Sequence, residues 1–125
     1  MLFKWFTKNK TDYPDFWIAY LEHFKNIKKT PIQDTRFVAF DTETTGFDQK
    51  EDRVLSIGAV AFTGKNIPIN DSLELYLEQD VFNPETVEIH ELMKSSDFEK
   101  ISELEALKAF LVYIKNAVLI AHHSN

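Results

Sequence analysis

The sequence predicts an α/β domain: a mixed β-sheet with a helical crossover, preceded by a helical extension. Three observations predict it. Residues 37–40 are a continuous apolar run that breaks abruptly into polar residues. Two strand-like runs follow, separated by a tight turn. A helix with a strong N-terminal signature then leads into a last apolar run near position 118. The order strand, strand, strand, helix, strand calls for an antiparallel hairpin first and a crossover to a parallel strand afterwards.

At 125 residues, 44% hydrophobic and 14% aromatic, the chain has the apolar content of one packed domain. Eleven phenylalanines, two tryptophans and four tyrosines supply the core. With no cysteine, packing and not crosslinks must hold the fold. The same absence excludes zinc-finger and cysteine-nucleophile chemistry, so any metal needs oxygen or imidazole ligands. A net charge of −6 argues against a broadly basic nucleic-acid coat. It does not argue against a nuclease, because carboxylates that hold divalent cations make their own site acidic. The opening MLFKWFTKNK mixes Phe3, Trp5 and Phe6 with Lys4, Lys8 and Lys10. No apolar run there reaches signal-peptide or membrane-spanning length, and a cytoplasmic protein without membrane contact is expected.

Residues 12–29 read as an amphipathic helix, with Asp12 as cap and Pro14 in the first turn. Its apolar stripe is Phe16, Trp17, Tyr20, Leu21, Phe24 and Ile27. Thr30-Pro31 and Gln33-Asp34 break the pattern, so 1–34 is expected to be an extension with its linker and 35–125 the main domain. The first strand is expected over 36–41, covered on both faces. A second is expected over 54–62, closed by the turn Thr63-Gly64-Lys65-Asn66. In the third, at about 71–77, Leu73, Leu75 and Leu77 alternate with Glu74 and Tyr76, which gives one buried and one wet face. Asn83-Pro84 opens a short helix to about Met93. Ser102 and Glu105 form a capping box ahead of Leu104, Leu107, Phe110, Leu111 and Ile114, and Asn116 can end that helix. Residues 117–121 read as a buried strand.

The chemistry-bearing residues cluster where the first strand runs into polar sequence. Asp41 and Glu43 are two apart, so on an extended backbone both carboxylates leave the same face. Two carboxylates held together repel unless a cation lies between them, and hard ions such as Mg²⁺ or Mn²⁺ favour oxygen ligands. Spacing alone is weak, since most such pairs are the start of a solvated loop.

The surrounding string Phe40-Asp41-Thr42-Glu43-Thr44-Thr45-Gly46-Phe47 is specific. It resembles the first exonuclease motif of the DnaQ-like (DEDD superfamily, DEDDh) 3′–5′ exonucleases, the type found in proofreading epsilon-subunit and PolC exonuclease domains. The resemblance implies a ribonuclease H-like mixed sheet of strand order 3-2-1-4-5 and a site with two Mg²⁺ or Mn²⁺ ions. It assigns catalysis and metal binding to Asp41 and Glu43. By the same resemblance Thr42, Thr44, Thr45, Gly46 and Phe47 line the substrate, with Thr44 on the 3′-terminal nucleotide and Phe47 bordering its base. The glycine suits a sharp turn that brings backbone close to a ligand.

The string from Pro84 to Leu92 is similar to the family stretch that ends in Val-His-Gly-Ile and implies His90 near the terminal nucleotide. Glu91 stands where the family has glycine. Leu119-Ile120-Ala121-His122-His123 resembles the approach to the second exonuclease motif, implying His122 as a neighbour of the site and not as its base. The aspartate of that motif and the later His-x-x-x-x-Asp, which contains the general base, have no counterpart in these 125 residues.

The expectation is therefore an exonuclease domain truncated after the fourth strand. Such a chain would bind Mg²⁺ or Mn²⁺ weakly, hydrolyse nucleic-acid 3′ ends slowly or not at all, and self-associate. The expected partner is a single-stranded or frayed DNA 3′ end, with a DNA polymerase subunit beside it. The alternative is a non-catalytic remnant that binds nucleic acid or a polymerase.

Overall fold

The computed structural model describes residues 12–80 and 98–122. The helix expected at 83–93 with His90, the opening residues 1–11, and His123 lie outside the described residues.

The described chain runs α1 (Asp15–Glu22), a single 3-10 turn (Ile32–Asp34), β1 (Arg36–Thr44), β2 (Val54–Thr63), β3 (Ser72–Leu77), β4 (Lys100–Ile101), α2 (Glu103–Ile114) and β5 (Val118–Ile120). One mixed sheet has the order β4-β3-β2-β1-β5. β1 and β2 pair antiparallel, as do β2 and β3, while β5 lies parallel to β1. This is the ribonuclease H-like arrangement the sequence led us to expect, with one addition. Four strands were expected, but the two-residue β4 pairs parallel to the outer side of β3 through Tyr76↔Lys100 and Leu77↔Ile101. So short a strand has no periodicity of its own and exists only through its neighbour.

α1 is shorter than the expected 12–29. Pro14 takes the cap position with extended ψ, no side chain caps the helix, and after Glu22 the chain tightens into turns through Lys25 before Asn26 takes φ 62°. Beyond Glu22, Phe24 and Ile27 are 42% and 56% exposed, with Phe24 set edge to face against Tyr20 at 5.2 Å, so this stretch gains little of the tertiary packing that stabilises a short helix. The half that persists packs Phe16, Trp17 and Tyr20 onto the sheet's core.

The core lies on one side of the sheet. Val38 (0% exposed), Ala59 and Ala61 come from β1 and β2, and Leu111 and Ile114 come from α2. Phe40 meets Phe110 edge to face at 5.3 Å. Burial of each large aliphatic side chain contributes roughly 1.5–3 kcal/mol. α2 starts as expected: Ser102 Oγ accepts the Glu105 amide, and the Glu105 carboxylate accepts the Ser102 amide at 3.0 Å. It ends at Ile114, two residues before Asn116, with Lys115 as C-cap at φ 49°.

Arg36 clamps three elements. Its guanidinium donates to the Tyr113 carbonyl and pairs with Asp71 at 3.1 Å, while the Tyr113 hydroxyl donates to the Asp71 carbonyl at 2.7 Å. The turn after β2 forms where expected, closed by reciprocal Thr63 and Asn66 backbone bonds. Gly64 sits at φ 59°, and a Cβ there would lie 2.8 Å from the Gln33 carbonyl oxygen. No described helix is long and apolar enough to cross a membrane.

Candidate active site

β1 does not stop at Asp41. The ladder to β2 continues through Asp41↔Gly58, Thr42↔Ile57 and Glu43↔Ser56, and only then does the register slip so that Thr44 faces Val54. The expected strand end is therefore three residues too early. Polarity signalled a loop, but pairing with β2 supplies the backbone bonds that keep these residues extended. The skipped residue, Leu55, is buried. A bulge of this kind increases local twist where the strand leaves the sheet.

Alternation along β1 fixes the directions of the side chains. Val38 and Phe40 face α2, so Ala39, Asp41 and Glu43 face the opposite side. Both acids are exposed, and their Cα atoms are roughly 6.5–7 Å apart at strand spacing. Among the described residues neither forms an ion pair, and no group of three or more His, Asp or Glu stands close enough to share a metal ion. A third acid, Glu74, shares their face across Gly58. Its carboxylate accepts the Tyr76 hydroxyl at 2.6 Å, which pushes the tyrosine pKa up.

The open face is hollowed into a groove of about 710 Å³ lined by Ala39, Asp41, Gly58, Val60, Ser72, Glu74, Ile120 and His122, among others. The structure thus brings the sequence-predicted Asp41 and His122 to one groove. Phe47 is 98% exposed on the loop that follows β1.

Two of the predicted substrate-contact side chains do not lie on the open face of the acids. Thr42 lies between the acids in a paired strand, so its side chain points to the other face of the sheet, away from them. Thr45 is fully buried (0% exposed), and its hydroxyl donates to Asp52 Oδ1 at 2.7 Å and accepts the Arg53 amide at 2.9 Å. Its side chain thus ties the start of the turn to the residues that close it. Thr44 is half-buried and donates its hydroxyl to the Gly46 carbonyl at 2.7 Å, so only its acceptor lone pairs remain available.

Sequence reasoning missed Asp52. Its carboxylate takes the Thr45 hydroxyl on one oxygen and the Asp48 amide on the other, at 2.8 Å. The Asp48 carboxylate in turn accepts the amides of Lys50 and Glu51, which holds its pKa below the usual range. The available signal was the pair of aspartates four apart inside a loop that must turn back sharply.

The strand order is that of a ribonuclease H-like sheet, with two exposed acids on β1 and a polar turn after them. Comparison with known proteins agrees: residues 38–125 match the exonuclease (RNase T) family, and the chain belongs to that family, in its DnaQ-like branch. It is similar to the DNA polymerase III subunit epsilon of Treponema pallidum, with 36% identity over 89 residues, covering 71% of this chain and 41% of that protein. It is also similar to the PolC-type DNA polymerase III of Clostridium perfringens, with 33% identity over 92 residues, covering 73% of this chain and 6% of that protein. The epsilon subunit of Escherichia coli matches at 29% over 96 residues, covering 72% of this chain and 39% of that subunit. The chain therefore spans about two fifths of the length of its epsilon relatives.

Proposed function

We propose that this chain carries the first carboxylate pair of a metal-dependent exonuclease that trims nucleic acid, in the first place DNA, from the 3′ end. The observation that carries this reading is the placement of Asp41 and Glu43 on the same exposed face of a paired strand, with no cation beside them among the described residues. Oxygen-only, unneutralised and held on rigid backbone, they suit Mg²⁺ or Mn²⁺. Such an ion would supply charge stabilisation at the phosphate and a water of lowered pKa. The chain's own part is to hold that charge at a fixed point and to receive the terminal nucleotide. Exposed Phe47 offers a face for the base. Thr44, Gly46, His122 and His90 are the remaining candidates for contact with that nucleotide.

Only two ligand acids come together among the described residues, whereas a two-ion site takes several carboxylates. We therefore propose that the 125-residue polypeptide binds metal weakly and hydrolyses DNA ends very slowly or not at all. The same observation favours a second reading, in which the chain binds a 3′ end or a polymerase without cutting. The relatives described above are DNA polymerase III proteins, which supports DNA as the substrate and a polymerase as neighbour in proofreading or repair.

Anisotropy of a labelled single-stranded oligonucleotide, followed with time, separates these readings. An exonuclease site gives binding that needs Mn²⁺, falls in Asp41→Ala, and is followed by slow shortening from the 3′ end. Tight binding that is indifferent to EDTA and to Asp41→Ala, with no shortening, supports the interaction module and contradicts the nuclease.

A further inference from the structure

We propose that Asp52 is the positioning residue of this site: its carboxylate fixes the turn after β1 so that Thr44 and Phe47 are presented beside the Asp41–Glu43 pair. The inference deepens the nuclease reading and rests on it. The loop from 45 to 53 joins two antiparallel strands, and nine residues could adopt many shapes. Asp52 removes that freedom at both ends. One carboxylate oxygen accepts the Thr45 hydroxyl at 2.7 Å, which anchors the loop where β1 stops. The other accepts the Asp48 amide at 2.8 Å, and the Asp52 amide returns a bond to the Asp48 carbonyl at 2.9 Å. Thr45 completes the closure with backbone bonding to Arg53 across the base of the loop.

Gly46 shows how closely the carboxylate is seated. A Cβ at that position would lie 2.4 Å from Asp52 Oδ2 and 2.8 Å from its Cγ, inside any permitted contact. A side chain at position 46 would therefore displace the Asp52 carboxylate from its place against Thr45 and Asp48. Gly46 and Asp52 interlock, and Phe47, next in the chain, is left 98% exposed instead of folding back on the domain. A bulky aromatic kept in water costs free energy unless a ligand covers it. Asp52 touches no reacting group. It acts through the turn.

The test uses calorimetry of the 125-residue chain with Mn²⁺ alone and then with dTMP in saturating Mn²⁺. For Asp52→Ala we expect Mn²⁺ affinity within about twofold of the parent and dTMP affinity lower by about tenfold or more, as loss of positioning produces. Gly46→Ala should weaken dTMP similarly, and adding it to Asp52→Ala should cost nothing further, because the steric conflict disappears with the carboxylate. Unchanged dTMP affinity in Asp52→Ala, a parallel loss of Mn²⁺ affinity, or additive effects in the double variant would each overturn the proposal. A parent chain that takes up Mn²⁺ but not dTMP overturns it and leaves the carboxylate reading standing. A parent that takes up neither overturns both. Asp52→Asn keeps the volume and provides an independent measurement: amide exchange should quicken at Asp48 while residues 38–43 keep their protection. Unaltered exchange at Asp48 would contradict the proposal without reference to any ligand.

Discussion

Asp41 and Gly58 stand opposite each other in the β1–β2 ladder, and the space above Gly58 is open, with no atom within 4 Å of where a Cβ would lie. The gap continues across the sheet to Glu74 and forms part of the groove floor. Gly58→Ala should be tolerated and raise stability by about 0.4–1 kcal/mol through the unfolded chain. Gly58→Phe would fill the groove beside Asp41. Thermal unfolding should show the gain for alanine, and calorimetry should show intact Mn²⁺ uptake in Gly58→Ala with loss of dTMP binding in Gly58→Phe.

The start of α2 is an electrostatic device with a readable pH dependence. The Ser102 hydroxyl and amide hold the Glu105 pKa below the ordinary glutamate range. The ionised form therefore favours the fold. Its contribution is fully present above the unfolded value of about 4.3 and is lost as pH falls through the lower folded value. Melting curves of the parent and Glu105→Gln should differ at pH 7 and converge as the pH is lowered through the acid range. Ser102→Ala should cost about 1 kcal/mol at pH 7.

Ile114, 3% exposed, is the point where the end of α2 meets the sheet. Ile114→Ala should destabilise by about 2–5 kcal/mol, read from urea midpoints, because the small, rigid cluster around Val38 and Ala61 cannot collapse into the cavity. Val112, on the exposed side of the same helix, should tolerate alanine to within about 0.5 kcal/mol.

β5 pairs with β1 on one side, and Val118, Leu119 and Ile120 all remain 43–47% exposed. Among the described residues no strand pairs with the other edge of β5, and an apolar edge strand of this kind templates association. Size-exclusion chromatography of the 125-residue chain should show concentration-dependent oligomers, and Leu119→Lys should shift them toward monomer. A monomer at all concentrations in both proteins would contradict this.

The sequence made the sheet legible wherever a strand carried its own pattern. The apolar run at 37–40, the leucine alternation in β3 and the Ser102–Glu105 box each encode their element locally. What stayed hidden depends on partners distant in the chain. β1 continues through Asp41, Thr42 and Glu43 because β2 pairs with them, which polarity alone argues against. β4 exists only through β3. α1 stops at Glu22 and leaves Phe24 and Ile27 largely exposed beyond it, although their spacing suits a helix. In the candidate site the motif picked out Asp41 and Glu43, but not that Thr45 turns inward. That burial follows from Asp52, seven residues on, and spacing does not reveal a contact made by the folding back of a loop.

The proposed function requires Asp41 and Glu43 to share one divalent ion. Titration calorimetry with Mn²⁺ on the parent and on Asp41→Ala/Glu43→Ala tests this most directly. We expect saturable, weak uptake by the parent and none by the double variant, with both proteins melting at similar temperatures because these side chains contribute nothing to the core. Equal uptake by both proteins, or none by the parent, would contradict it.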